Sequence, residues 1–199
     1  MSRQFRQRVR ATLTRVKEGR GGYDLPLEIM IYNEAGKQVG RLRPLGKRYL
    51  SKTHAKRLRE WRICHGYAFP PSVTPITITS TLRWLNKHVV NNPERCLWYV
   101  YPLKGRTPIG HMGLATFDYQ KNSCELDNIL RGEARQRGLM SMAVRALILW
   151  TKHQLRPSKI GLRVMGDNEH AIRFYQQLGF KAVGSKTLSN QLRKMIYAE

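Results

Sequence analysis

Apolar and polar residues alternate from Leu27 to Tyr32, with Leu27, Ile29 and Ile31 on one face, and this predicts a β-strand. The turn Asn33-Glu34-Ala35-Gly36 leads into a returning strand over Gln38–Arg43, whose apolar residues are Val39 and Leu42. From Leu50 to Ile63 the pattern becomes helical: Leu50, Leu58, Trp61 and Ile63 stand among five Lys/Arg. Phe69-Pro70-Pro71 ends that helix, and Thr79–Val90 forms a second, with Leu82, Leu85 and Val89 on one face. Further strands are predicted at Cys96–Tyr101, Ile109–Tyr119, Ser123–Leu130 and Ile160–Val164, with short final ones at Lys181–Gly184 and Met195–Tyr197. Met140, Ala143, Val144, Leu147, Ile148 and Leu155 recur at helical spacing in Leu139–Leu155, with Pro157 just beyond. Ala171, Ile172, Tyr175 and Leu178 do the same in Glu169–Leu178, which Gly179 caps. The order predicts an α/β (α+β) fold: a mixed, mostly antiparallel central sheet flanked by helices.

Phe5, Val9, Leu13 and Val16 also recur at helical spacing, so the first residues read as a short basic amphipathic helix. Residues 1–20 hold seven Arg/Lys and one acid, Glu18, and no apolar core run, which excludes a secretory signal. An Arg-rich organelle-targeting peptide shares this composition. The expectation is a solvated basic extension over residues 1–26 that touches the body of the protein loosely, followed by one domain over residues 27–199.

Charge widens the set of partners. Lys and Arg number 36 against 13 Asp and Glu, a formal net charge of +23. Such a balance favours nucleic acid, an anionic membrane surface or phosphorylated small molecules, without choosing among them. No stretch approaches the roughly 20 apolar residues of a membrane span. Cys64, Cys96 and Cys124 are an odd number without CxxC spacing. This argues against a disulfide framework or a zinc ribbon and for a reducing, cytoplasmic setting; no metal is expected.

The most informative segment runs from Ser123 to Leu155, where a strand enters Arg131-Gly132-Glu133-Ala134-Arg135-Gln136-Arg137-Gly138 and a helix follows at once. A helix start leaves about four backbone N–H groups without partners, and phosphate is their usual guest. Gly138 lets the backbone approach closely, and Arg131, Arg135 and Arg137 add positive charge. The alternative is an ordinary strand-to-helix turn with solvated arginines.

Downstream, Asn168, Ala171, Phe174, Tyr175, Gly179 and Phe180 match an Asn-x-x-Ala-x-x-Phe-Tyr-x-x-x-Gly-Phe pattern. Arg135-x-x-Gly138-x-Met140 matches the first two fixed positions of a Q/R-x-x-G-x-G/A loop, with Met140 in place of the small third residue. Together these segments resemble the GNAT superfamily of acyl-CoA-dependent N-acetyltransferases, over about residues 40–198. Leu42-Arg43-Pro44-Leu45 and Leu58-Arg59-Glu60-Trp61-Arg62 look like the opening of one GNAT branch. Within the family, the Trp61-Arg62…His65 opening and the Glu125-Leu126-Asp127-Asn128…Arg131-Gly132 segment look most like members that acetylate an amino group on a nucleotide-linked sugar, as in the pseudaminic-acid pathway.

The resemblance implies acetyl-CoA as co-substrate. It implies coenzyme contacts from Ile129, Leu130 and Arg131 at the strand end and from Arg135, Gln136, Arg137 and Gly138 in the loop. Leu139, Met140 and Ser141 at the helix start would join them, with Asn168, Phe174 and Tyr175 downstream. A backbone N–H near Ile129 would then polarise the thioester carbonyl. Tyr175 matches the family tyrosine that protonates the leaving thiolate; its alternative is a core aromatic. Glu125 and Asp127, two apart, share one strand face, and Glu125 lies where many family members carry their base. The alternative is that each carboxylate pairs with an arginine. His111 is a rival base on the strength of its ordinary pKa.

Trp61, Arg62, His65 and Phe69 are candidates for the acceptor pocket: aromatic faces for a sugar or base, and arginine for phosphate. For Trp61, core packing is the alternative. The acceptor expected is a small-molecule amine, and specifically a nucleotide-linked amino sugar. A protein N-terminus or lysine is a second reading. Nucleic-acid binding through the basic extension is a third, from a different class. A homodimer is compatible with the sequence.

Overall fold

A computed structural model of the protein describes residues 2–65, 76–187 and 194–198. Eight strands form one sheet in the order β1-β2-β3-β4-β5-β6-β8-β7. They are β1 (Ile29–Tyr32), β2 (Gln38–Pro44), β3 (Cys96–Pro102), β4 (Gly110–Asp118), β5 (Ser123–Arg131), β6 (Lys159–Met165), β7 (Ala182–Thr187) and β8 (Lys194–Ala198). The first five run antiparallel. β5 and β6 are parallel, which requires the helical crossover between them, and β8 and β7 then add antiparallel. Each predicted strand is present. Helix α2 covers Lys52–Cys64, α3 Ile78–Leu85, α4 Leu139–Gln154 and α5 Glu169–Gln177. Phe69-Pro70-Pro71, the predicted break after α2, lies outside the described residues. No helix among the described residues is long and apolar enough to cross a membrane.

The helix predicted over Thr79–Val90 divides in two. A capping box starts α3, with the Ser80 N–H donating to Thr77 Oγ1 at 3.0 Å and the Thr77 N–H to Ser80 Oγ at 2.9 Å. Past Leu85 the backbone widens into a π-helical turn over Asn86–Val90, closed by the Asn91 N–H on the Asn86 carbonyl. The widened turn buries two adjacent valines, Val89 and Val90.

β3 is buried on both faces. Cys96, Trp98 and Val100 join one core cluster, and Leu97, Tyr99 and Tyr101 the other. The first cluster takes Ala143, Val144 and Leu147 of α4; the second takes Ala55, Leu58 and Trp61 of α2 and Leu85 at the end of α3.

The expected loose extension is corrected here. Residues Ser2–Glu18 form helix α1, and its stripe of Phe5, Val9, Leu13 and Val16 is 0–3% exposed within the first cluster. Full burial of an aliphatic or aromatic side chain stabilises by about 1.5–3 kcal/mol. Four such side chains outweigh the cost of holding a basic helix against a basic body. The arginines sit around the stripe: Arg10 pairs with Glu94 at 3.1 Å, Arg15 with Asp24 at 2.8 Å, and Arg6 lies over the Tyr119 ring.

Candidate active site

β5 carries an irregularity at its centre. Gly113 pairs with Asp127 and His111 with Leu130, so one residue on β5 is extra, and Asn128 takes φ +50°. The bulge reverses the strand's faces. Cys124 and Leu126 point into the cluster under α4, yet Leu130, four residues on, belongs to the cluster under α2. Pairing between β5 and β6 ends at Leu126 with Leu162, and β6 continues against β8. A cleft of about 580 Å³ opens where the strands part.

Residues from four elements line it. The end of β5 supplies Ile129, Leu130 and Arg131; the following loop supplies Gln136, Arg137 and Gly138; α4 supplies Met140 and Ser141. Asn168, Phe174 and Tyr175 come from the start of α5 and its helical face, and His65 from the end of α2. Gly138 stands at the N-cap of α4 with φ +83°, and no side chain caps the first turn. Exposed helical N–H groups therefore face the cleft beside Arg131 and Arg137, which is the chemistry a diphosphate requires. The Arg131 guanidinium is also structural: it donates to the carbonyls of Glu133 and Ala134 at 3.1 and 2.8 Å, holding the loop. Asn168 Oδ1 accepts from the Ala171 N–H at 3.1 Å, so this residue caps α5 as well as lining the cleft.

Two predicted coenzyme residues do not line the cleft. Leu139 is 1% exposed and turns into the core over Gly40, because its place in the helical period is that of Ala143. Arg135 is exposed on the outer side of the loop. Met140 departs from the small residue of the motif, and Gly110 on β4 makes room for it. A Cβ at Gly110 would lie 3.0 Å from Met140 Sδ and 2.4 Å from the Leu130 carbonyl oxygen.

The two carboxylates of β5 lie on the face away from Cys124, and neither lines the cleft as it stands. Glu125 accepts from Arg163 Nε at 2.7 Å, and Arg163 also donates to Thr116 Oγ1 at 3.0 Å. Asp127 pairs with Arg95 at 3.0 Å and accepts from Asn128 Nδ2 at 2.7 Å. Burial, and then the Asp127 charge, raise the pKa of Tyr175, so its hydroxyl is protonated at neutral pH. His111 lies 1% exposed, stacked on Trp61 with centroids 6.0 Å apart. Burial pushes its pKa down to about 3, so the near-neutral value that made it a rival base is absent.

Residues 41–181 match the Acetyltransferase (GNAT) domain family. The chain belongs to that family. It is an acyl-CoA-dependent N-acetyltransferase, and acetyl-CoA is the co-substrate general to GNAT enzymes. Among solved structures, a probable GNAT-family acetyltransferase from Chromobacterium violaceum is 17% identical, with a TM-score of 0.66 over 85% of this chain and 84% of the other. Apo FdhC, a nucleotide-linked sugar GNAT, is 17% identical, with a TM-score of 0.63 over 80% and 85%. The dodecameric spermidine N-acetyltransferase of Vibrio cholerae is 17% identical, with a TM-score of 0.58 over 75% and 88%. At these identities the likeness is one of fold. The search of curated proteins gives no significant match.

The acceptor-pocket candidates of this GNAT enzyme separate. His65 reaches the cleft. Trp61 does not: it packs flat on Gly132, where a Cβ would come within 2.0 Å of the ring, and its Nε1 donates to Glu133 at 3.4 Å. Its bulk fixes the start of the phosphate loop. Arg62 stacks over Trp84 at 5.6 Å, and burial lowers its pKa against the Asp127 charge. Phe69 lies outside the described residues. Sequence reasoning missed Arg95, Arg163, Trp84 and Gly110. It also missed the bulge, although its signal is present: the apolar alternation Cys124, Leu126 slips to the adjacent pair Ile129, Leu130 around an asparagine, a residue that tolerates positive φ.

Proposed function

We propose that the protein transfers the acetyl group of acetyl-CoA to the primary amine of a nucleotide-linked amino sugar. The observation that carries the acceptor class is the pair of guanidinium groups, Arg62 and Arg95, lying over Trp84 at 5.6 and 5.9 Å, with Arg95 paired to Asp127 of β5. An aromatic ring flanked by two arginines suits a base and a diphosphate. It does not suit a polycation such as spermidine. The fold shared with the nucleotide-linked sugar GNAT supports the same choice.

In this reading the amine nitrogen attacks the thioester carbonyl carbon, the C–S bond breaks, and an amide and a thiol result. Glu125 removes the ammonium proton before attack, directly or through water, and releases it to solvent; after attack the nitrogen gives up a second proton by the same route as the amide forms. The Ile129 N–H, beyond the point where β5 parts from β6, donates to the carbonyl oxygen as charge develops there. Tyr175 donates its proton to the thiolate and regains one from solvent, and Asp127 favours the protonated tyrosine. Three unpaired thiols, Cys64 exposed and Cys96 and Cys124 buried, support a reducing cytoplasmic setting for this chemistry. The test is thiol release from acetyl-CoA with UDP-glucosamine, spermidine and a lysine-rich peptide as acceptors. Turnover with UDP-glucosamine is expected, and turnover confined to spermidine or the peptide replaces this acceptor.

A further inference from the structure

Lys17 is the most deeply buried basic residue of α1, at 4% exposure, and among the described residues no carboxylate lies within ion-pair distance of its ammonium. Its Nζ donates to the carbonyl of Val89 at 3.1 Å, to that of Arg95 at 3.2 Å, and to that of Asn92. Three N–H bonds meet three carbonyls, which is the full donor capacity of an ammonium. The Lys17 carbonyl is gripped in turn. It accepts from the Lys47 N–H at 3.2 Å, and a Cβ at Gly46 would lie 2.0 Å from it.

These carbonyls end the π-helical turn and form the bend that leads into β3. The bend is ordered further by the Glu94 N–H on Asn92 Oδ1 at 2.9 Å and by the Arg10–Glu94 pair at 3.1 Å. Its last residue, Arg95, carries the guanidinium that stacks on Trp84 and holds Asp127 at 3.0 Å. The carbonyl and the guanidinium of one residue thus join α1 to the catalytic face of β5.

We propose that Lys17 is a positioning residue for the acceptor wall: α1, which precedes the segment matched to the family, sets the place of Arg95, and through it of Asp127, by clasping the 89–95 backbone. The proposal takes from the reading above only that the Arg95–Asp127 face receives the acceptor. The Arg95–Asp127 pair is half-buried, and an ion pair still open to solvent contributes little on its own, so its geometry depends on what holds the backbone beneath it.

The test uses the full chain with Lys17→Met, which keeps the apolar stem and deletes the ammonium, and Arg10→Ala, which loosens the same bend from an exposed pair. The side-chain Nε–H signals of Arg95 and Arg163 are followed by NMR, with kinetics on acetyl-CoA and UDP-glucosamine. Lys17→Met is expected to speed exchange of the Arg95 signal with water and to raise KM for UDP-glucosamine about tenfold. The Arg163 signal and the KM for acetyl-CoA stay unchanged. Arg10→Ala shifts the same two readouts less. An unchanged Arg95 signal in both variants overturns the proposal, as does equal loosening of Arg95 and Arg163, which marks a merely structural lysine. If the unmodified protein does not turn over UDP-glucosamine, the acceptor reading fails, and the Arg95 signal alone decides the role of Lys17.

Discussion

Burial and the Asp127 charge act in the same direction on Tyr175, both raising its pKa. Removing the hydroxyl in Tyr175→Phe should cut kcat by about 10²-fold with acetyl-CoA binding unchanged, measured by turnover and calorimetry. Glu125→Gln should lower kcat by about 10²–10⁴-fold at every pH, and full turnover in this variant would remove Glu125 as the base. His111 carries a stability consequence. Its pKa is about 3 folded against an ordinary 6.5, so between these values the unfolded chain binds the extra proton. Stability should be intact above pH 6.5 and fall as pH drops towards 3, by at most about 1.4 kcal/mol per unit. Denaturant melts of His111→Leu across this range should show a shallower dependence.

At the scale of elements, the site depends on three departures from regular structure. The bulge at Asn128 turns Leu130 to the α2 side, the parting of β5 from β6 opens the cleft, and Gly138 starts α4 without a side-chain cap. Trp61 couples α2 to the loop between these features by lying on Gly132. Gly132→Ala would drive a methyl into that ring and should cost about 1–3 kcal/mol by thermal melt while weakening CoA binding by titration. Undisturbed CoA affinity would show that Trp61 does not set the loop. The elements themselves were legible in the sequence because periodicity and capping act over a few residues. The splitting of the Thr79–Val90 helix was not, since a π-turn is selected by what its valines meet across the fold.

For the whole molecule, the +23 charge divides into several uses. Arg131 and Arg137 line the cleft, Arg62 and Arg95 frame Trp84, Arg163 holds Glu125, and Lys17 clasps the 89–95 bend. Each of the last three compensates a carboxylate or a set of carbonyls, so part of the charge is internal to the fold. α1 belongs to that internal part through its apolar stripe. Leu13→Ala should lower stability by about 2–5 kcal/mol in denaturant titration, far more than a loosely held extension would register.

The sequence alone determined the order of strands and helices, the glycine that starts α4, and the tyrosine on α5. Each of these is written in short-range patterns of spacing and turn chemistry. Tertiary structure decided the rest. It docked α1, gave Glu125 and Asp127 their arginine partners, stripped His111 of its near-neutral pKa and made Trp61 a support for the loop. All of these follow from sheet register and burial, which bring together residues far apart in the chain and change the free energy of their charges.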